Sequence, residues 1–207
     1  MKSSEIDFSV LKRINPDTVG WIRLPGTPID YPIVQARQGD HWLTHNFSDE
    51  ESKHGTICLD ANPSMIFPDR QNRLRGHNMS DGSMFRALTS YLDPEFCAGS
   101  PPIEIISENG AYAAQVWAVV SVPYSEEYLS IVPADPLDFE IWRNIIEKRS
   151  AFHGSVTPAF GGKNLVLCTC QTEGDDGLAH GDVLVFTVLI PHEKEMYKES
   201  GEINCRK

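Results

Sequence analysis

The sequence predicts a mainly β fold, a single β-barrel of about seven or eight short strands decorated with two or three helices. Short apolar runs bounded by Gly, Pro and Asp recur along the chain, which is typical of strands joined by turns. Residues 103–107 and 111–122 alternate in the manner of a β-hairpin, with Asn109-Gly110 as its turn. The strongest helical periodicity covers residues 137–152, late in the chain.

The elements follow from these patterns in chain order. An N-terminal helix is predicted within residues 1–14, periodic over 7–14, with Ser3 or Ser4 as its N-cap. Further helices are predicted over residues 81–91 and 137–152, the second capped by Asp135 or Asp138. Strands and turns are predicted at residues 19–24, 28–34, 42–43, 55–59, 73–77, 103–107, 111–122, 165–170 and 183–190. Irregular loops are predicted at residues 60–69 and 125–136, and a loosely ordered tail at 191–207.

Composition limits the classes of protein to consider. A chain of 207 residues suits one domain, here residues 1–207, with a core of its own. The net charge of −11, without any basic stripe, argues against a nucleic-acid or anionic-membrane surface. The sequence contains no signal peptide and no run of about 18 apolar residues, so no membrane span is predicted.

The cysteines argue against a disulfide framework and a structural metal. Five are present, at positions 58, 97, 168, 170 and 205, and none forms a CxxC pair. Cys168 and Cys170 share one face of a predicted strand, where a bridge between them would distort the backbone. No second Cys/His cluster has zinc-finger spacing. We therefore predict no metal site.

Cys170 is the candidate nucleophile. It ends the apolar run of residues 164–171, NLVLCTCQ, where a strand holds the thiol rigidly beside an open loop. The alternative is a small buried hydrophobe, as most unpaired cysteines are. A cysteine nucleophile needs a base or cation that favours the thiolate. His77, directly after Gly76 at the end of a predicted strand, is the best placed, ahead of His180 in the acidic loop after Cys170.

The other histidines are weaker candidates. Those in polar stretches, His41 and His45 among them, are expected to be exposed. The interpretation therefore depends on what surrounds His77 and Cys170.

The flanking motifs resemble those of the sortases, the cysteine transpeptidases of Gram-positive bacteria. Residues 75–88, RGHNMSDGSMFRAL, resemble their YGHNM…MF..L segment, and LVLCTC resembles their LxTC nucleophile motif. Residues 15–35, NPDTVGWIRLPGTPIDYPIVQ, are similar to the opening of class B. DHWLTHNF at 40–47, SKHGTICLD at 52–60 and the long helix at 137–150 continue the likeness in register.

This resemblance implies a fold and an activity. It implies an eight-stranded sortase-type barrel with an N-terminal helix and a long helix before the nucleophile strand. Cys170 would attack a threonine carbonyl in an NPxTx-type sorting signal, and His77 would transfer protons. The acyl group would pass from the resulting thioester to an amine of peptidoglycan or to a pilin lysine, anchoring a surface protein without a cofactor. The enzyme would work at the extracellular face of the membrane, with its anchor outside this sequence.

The resemblance also implies substrate-binding roles for individual residues of this sequence. Asn62 corresponds to an asparagine that contacts the substrate, and Cys168 and Thr169 would line the pocket. The backbone N–H of Gln171 would help to form an oxyanion hole. Residues 128–131 would form the far wall of the groove, or else a loop without a role.

One family position departs from the pattern. Sortases have an arginine at the start of the last strand, and here Asp182 stands there, or His180 if the spacing from Cys170 is used. An acid raises the free energy of a nearby thiolate or oxyanion. Arg75 lies two residues before His77, on the same strand face. We therefore expect Arg75 to supply the cation from the opposite wall, with Asp182 as its ion-pair partner.

Two other functions stay open on the sequence. The missing arginine suits a sortase-fold protein that binds sorting signals without cleaving them. A cysteine peptidase or hydrolase, which passes the acyl group to water, would use the same Cys170 and His77.

Overall fold

A computed structural model describes residues 6–37, 40–60, 67–68, 71–171 and 181–192, with Gln71 described by its backbone only. Eight strands close into a barrel in the order β1-β2-β3-β4-β7-β8-β6-β5. The strands are β1 Thr18–Arg23, β2 Asp30–Gln35, β3 Ile57–Leu59, β4 Gln71–Arg75, β5 Ile103–Ser107, β6 Gly110–Pro123, β7 Asn164–Cys170 and β8 Gly181–Pro191. The predicted eight-stranded barrel with helices is confirmed.

Two parallel pairs interrupt an otherwise antiparallel barrel. β2 runs parallel to β3, and β4 runs parallel to β7 with Arg75 opposite Cys168. β7 pairs with β8 on its other side, antiparallel, with Cys170 opposite Asp182. The carboxyl ends of β4 and β7 therefore lie at the same edge, next to the start of β8.

Within the described residues, four α-helices and two 3₁₀ helices decorate the barrel. The α-helices are α1 Phe8–Ile14, α2 His41–Thr44, α3 Pro94–Gly99 and α4 Pro136–Arg149, and the 3₁₀ helices are Arg86–Leu92 and Tyr124–Ser130. Asp135 caps α4, as predicted, by accepting from the backbone of Leu137 and Asp138. Asp7 caps α1 in the same way, so the predicted caps Ser3 and Ser4 are wrong. No helix within the described ranges is both long and apolar enough to cross a bilayer.

The apolar residues form two large cores on opposite faces of the same strands. The inner core fills the barrel and includes Leu165 and Leu167 of β7. The outer core includes their neighbour Val166 and is covered by α4 through Phe139 and Trp142. This alternation is what the period of a strand requires when both faces are buried.

Three short elements differ from their predictions. Residues 42–43, predicted as strand or turn, lie in α2, because one helical turn buries the Trp42 ring and lets its Nε1 donate to the Gln35 carbonyl over 3.0 Å. The helix predicted over 81–91 begins only at Arg86, since Met84 has a left-handed backbone with a φ of 55°. The hairpin turn is Glu108-Asn109, because Ser107 pairs with Gly110.

Two helices lie where none was predicted. α3 begins with Asp93 as N-cap and Pro94 at its first position, a start signal that was present in the sequence. The 3₁₀ helix Tyr124–Ser130 overlaps the first half of the predicted loop 125–136. The predicted tail beyond residue 192 and most of the 60–69 loop lie outside the described residues.

Trp142 is expected to be the residue of α4 on which the outer core depends most. Its ring contacts Trp117 edge-to-face at 5.9 Å, and its Nε1 donates to the Leu129 carbonyl over 2.8 Å. Trp142→Ala should lower the free energy of unfolding by about 3–5 kcal/mol, measured by urea denaturation. The neighbouring Ile141 is 50% exposed, so Ile141→Ala is the matched control and should change little. A loss under about 1 kcal/mol for Trp142→Ala would contradict this expectation.

Candidate active site

Cys170 is the last residue of β7 and extends the outer row of that strand. Val166 and Cys168 precede it on this face, and both belong to the outer core. Cys168 is fully buried, whereas Cys170 is only half-buried, because the covering elements end there. The ladder thus holds the thiol in a fixed place with one side open.

His77 follows β4 in a segment tied directly to the end of β7. The Thr169 hydroxyl donates to the Gly76 carbonyl over 2.9 Å, and the Asn78 amide donates to the Cys170 carbonyl over 2.9 Å. These bonds lie immediately before and after His77. The structure therefore brings the backbones of His77 and Cys170 to the same edge of the barrel.

Gly76 permits this close approach. A Cβ at Gly76 would lie 2.4 Å from Ile57 Cδ1 and 2.9 Å from Phe85 Cδ2. Both of those side chains are fully buried, so they cannot easily move aside. The absence of a side chain at Gly76 thus lets the His77 segment cross the inner core closely, as the sequence suggested.

A backbone carbonyl orients the His77 ring. Nε2 of His77 lies 2.7 Å from the carbonyl oxygen of Leu43 in α2. A carbonyl oxygen can only accept, so Nε2 carries the proton and Nδ1 has the lone pair of the neutral ring. Among the described residues, the Leu43 carbonyl is the hydrogen-bond partner of this ring, and the ring makes no direct hydrogen bond to the thiol.

Tyr124 affects the Cys170 thiol electrostatically. It begins the 3₁₀ helix Tyr124–Ser130, which follows β6. Burial raises the pKa of Cys170, and the Tyr124 hydroxyl opposes this by stabilising the thiolate. Burial and the negative charge of a Cys170 thiolate raise the pKa of Tyr124 to about 12.

Asp182 lies opposite Cys170 on β8 and acts against the thiolate. Its side chain is buried, and the Cys168 thiol partly offsets the effect of burial on the pKa of the Asp182 carboxyl. Its carboxylate is a further cause of the raised pKa of Cys170. Burial raises the pKa of the Asp182 carboxyl itself and also, more strongly, the pKa of Cys168.

Arg75 does not pair with Asp182, so the predicted ion pair is wrong. Nε of Arg75 donates to Asp60 over 2.7 Å, and Nη1 donates to Asp40 over 2.9 Å. Arg75 lies opposite Cys58 on β3, so its side chain follows the outer face toward that strand. Its charge is thus largely offset by two carboxylates. Its predicted effect on the thiolate stays a prediction.

Arg73 is a cation that the sequence reasoning missed. It pairs with Asp60 and Glu127 and donates to the Ser130 hydroxyl over 2.6 Å, joining β4 to the 3₁₀ helix Tyr124–Ser130. Because Arg73 precedes Arg75 by two residues, the strand period that singled out Arg75 applied to it as well. No sequence signal indicated that the Tyr124 hydroxyl would reach the thiol.

The remaining predicted site residues have different outcomes. The Gln171 N–H donates to the Gly181 carbonyl over 2.8 Å and is not free to form an oxyanion hole, so that expectation is wrong. Thr169 is 2% exposed and Cys168 is buried, so a direct substrate contact by either side chain is disfavoured and stays a prediction. Asn62 and His180 lie outside the described residues.

Comparison with known proteins places this site in a family. No protein-family model matches the chain. Sortase B of Listeria monocytogenes is 33% identical over 165 residues, which span 80% of this chain and 67% of that protein. Sortase B of Staphylococcus aureus is 27% identical over 164 residues, spanning 79% and 67%. The chain belongs to the sortase family.

Solved structures give the same result for the fold and indicate class B. Sortase B from Bacillus anthracis, solved with the compound AAEK1, superposes with a TM-score of 0.78 at 29% identity, covering 89% of this chain and 84% of that one. A Staphylococcus aureus sortase B–substrate complex gives 0.80 at 25% identity, covering 90% and 85%. The sortase is therefore class B-like, and its relatives indicate a cysteine transpeptidase.

Substitutions of Asp182 and Tyr124 should shift the pKa of Cys170 in opposite directions. Asp182→Asn removes a negative charge and should lower the pKa of Cys170, whereas Tyr124→Phe removes a stabilising hydroxyl and should raise it. The check is the rate of iodoacetamide alkylation at Cys170 against pH, followed by peptide mass spectrometry. Tyr128→Phe is the control, because Tyr128 is 58% exposed in the same 3₁₀ helix. An unchanged profile for Asp182→Asn would contradict the assignment of Asp182.

Proposed function

We propose that this class B-like sortase cleaves an NPxTx-type sorting signal through a thioacyl intermediate on Cys170 and transfers the acyl group to an amine. The observation that carries the proposal is the attachment of the His77 segment to the end of β7, through Thr169–Gly76 and Asn78–Cys170 hydrogen bonds. Family membership supports the transpeptidase chemistry.

Acylation begins with the Cys170 thiolate. The sulfur attacks the carbonyl carbon of the threonine, and the carbonyl oxygen takes up the negative charge. When the tetrahedral intermediate collapses, the C–N bond breaks and the leaving nitrogen accepts a proton from protonated His77. The products are a thioester on Cys170, a free C-terminal peptide with an amino group, and neutral His77.

Deacylation reverses these roles. Neutral His77 accepts a proton from the incoming amine as its nitrogen attacks the thioester carbon. Collapse of this second intermediate breaks the C–S bond, forms the new amide and releases the Cys170 thiolate. His77 is protonated again, so both groups return to their starting states. Because Leu43 holds Nε2, we assign the proton exchange with substrate to Nδ1.

The Leu43 contact suits this cycle. Nε2–H is a donor in both the neutral and the protonated ring, so the Leu43 carbonyl can hold the ring in one orientation throughout the cycle. Burial and Asp182 raise the pKa of Cys170, so the thiolate is scarce at neutral pH. Tyr124 and a protonated His77 are then the groups that favour it.

The acceptor and the location belong to the same proposal. The acceptor is an amine from peptidoglycan or a pilin lysine, and the joined protein becomes anchored to the cell surface. The sortase works at the extracellular face of a Gram-positive cell membrane, attached through a membrane anchor. No cofactor enters the reaction as written.

One observation favours a second function. An acid opposite Cys170, where sortases have an arginine, suits a peptide-binding protein with little catalytic activity. A fluorogenic NPxTx peptide separates the two functions, because a binder raises the polarisation of the peptide without cleaving it.

Loss of either proton-transfer partner should stop the reaction. We expect Cys170→Ala to abolish cleavage of the fluorogenic NPxTx peptide, and His77→Ala to reduce its rate about 10²- to 10⁴-fold. His153→Ala, a change at an exposed histidine, is the matched control and should keep the parental rate. Added amine should divert the acyl group from acid to amide in a mass spectrum. Acid alone at every amine concentration would identify a hydrolase instead.

A substitution of Arg75 tests whether its guanidinium supplies positive charge to the catalytic site. If its guanidinium stabilises the thiolate or oxyanion, Arg75→Ala should lower the cleavage rate about as strongly as His77→Ala. The change also leaves Asp60 and Asp40 without that partner, so the thermal midpoint is measured beside the rate. A rate close to the parental one would remove Arg75 from the catalytic site.

A further inference from the structure

We propose that His41, His45 and Asp49 form a binding site for a divalent transition-metal ion, separate from the catalytic cysteine. One nitrogen from each histidine and one oxygen from Asp49 all lie within 4.8 Å of one another. Two imidazoles and one carboxylate suit Zn²⁺, Ni²⁺, Co²⁺ or Cu²⁺, whereas Mg²⁺ and Ca²⁺ prefer oxygen ligands alone.

The local fold gathers these three residues. His41 begins α2, and His45 directly follows its last residue, Thr44. The two rings stack, with 4.1 Å between their centroids. A tight turn then returns the chain, in which Asp49 has a left-handed backbone with a φ of 64° and its N–H donates to the Asn46 carbonyl. The turn brings Asp49 Oδ1 to 2.6 Å from His41 Nε2.

The sequence alone did not suggest this site. His41 and His45 were expected to be exposed, yet both are half-buried. Zinc-finger spacing is a pattern of cysteines and histidines, and a ligand set of two histidines and an aspartate does not follow it.

Two of the three proposed ligands, His45 and Asp49, have an outer hydrogen-bond partner that leaves one atom available. Nδ1 of His45 lies 3.0 Å from the His41 carbonyl oxygen, so Nδ1 carries the proton and the lone pair is on Nε2. Oδ2 of Asp49 accepts from Arg37 over 3.0 Å, leaving Oδ1 for the ion. Metal-binding histidines and carboxylates commonly have such partners, which fix their orientation.

The charges at the site suit a cation despite the nearby guanidinium. The hydrogen bond from His41, and then that from Arg37, hold the pKa of Asp49 below its usual range, so the carboxylate is ionised. Arg37 is itself held by Asp17 at 2.5 Å and lies over the Trp42 ring at 4.7 Å. Its charge is therefore shared with a second carboxylate and directed partly toward an aromatic face.

A small side-chain adjustment brings the ligands to bonding distance. Two atoms bound to one ion at about 2.1 Å are at most about 4.2 Å apart. The widest separation here, up to 4.8 Å, has to shorten by roughly half an ångström, which small side-chain rotations supply. Nε2 of His41 and Oδ1 of Asp49, now 2.6 Å apart, exchange their hydrogen bond for bonds to the ion.

The proposed metal site shares its chain segment with the carbonyl that orients His77. Leu43, between His41 and His45, provides the carbonyl that binds the His77 ring, and Asp40 precedes them and pairs with Arg75. A bound ion would hold α2 and its following turn together. Metal binding can be measured without cleavage of any substrate, so its failure is distinguishable from failure of the proposed transpeptidase.

The experiment titrates the whole chain with Co²⁺ and records the visible absorption spectrum. We expect d–d bands that saturate at one equivalent, disappear with EDTA, and lack the near-ultraviolet charge-transfer band of a thiolate ligand. Zn²⁺ should displace Co²⁺ and raise the thermal midpoint. His41→Ala, His45→Ala and the shape-conserving Asp49→Asn should each weaken binding by more than about tenfold.

His54→Ala is the matched control, because His54 is also half-buried and bonded to an aspartate, Asp81, outside this cluster. It should leave the cobalt spectrum unchanged. Absence of d–d bands from the parental chain at millimolar Co²⁺ would overturn the proposal, and this result does not depend on any variant folding. Bands that persist in both His41→Ala and His45→Ala, or a thiolate charge-transfer band, would overturn it as well.

Discussion

The positions of Cys170, of Asp182 and of the segment that precedes His77 depend on the hydrogen-bonded ladder of β7 with β4 and β8. Its parallel side sets Arg75 opposite Cys168, and its antiparallel side sets Asp182 opposite Cys170. A slip of one residue would exchange the faces of β7 and send Cys170 into the barrel. Leu165 and Leu167, buried in the inner core, fix the register against such a slip. The apolar core therefore determines which thiol faces the substrate.

The site shows a conflict between burial and reactivity. Enclosing Cys170 raises its pKa, which works against the thiolate that attack requires. The Tyr124 hydroxyl opposes this rise in pKa, and the proposed mechanism adds His77 when it is protonated. The two arginines on β4 are both engaged by carboxylates, and Asp182 adds opposing charge. Electrostatic complementarity to an oxyanion is thus weaker here than an unpaired arginine at position 182 would make it.

The sequence predicted the elements that have strong periodicity and a clear boundary. The hairpin strands, the long helix α4 with its cap Asp135, and β7 ending at Cys170 all follow from local patterns. His77 and Cys170 could be named because a glycine, a strand end and family motifs converge on them. The Arg75–Asp182 ion pair failed for a different reason. The strand period gives the face of a side chain but not the neighbour toward which a long guanidinium extends.

The two cores imply that the molecule is not equally resistant to opening everywhere. The 3₁₀ helix Tyr124–Ser130 is held to α4 by the Trp142–Leu129 hydrogen bond and the outer core, and to β4 by Arg73. None of these contacts belongs to the barrel interior. We therefore expect amide hydrogens in this helix to exchange with solvent through partial openings that leave the eight-stranded ladder closed. The free energy of the partial opening that admits a bulky peptide would then differ from the free energy of unfolding the barrel.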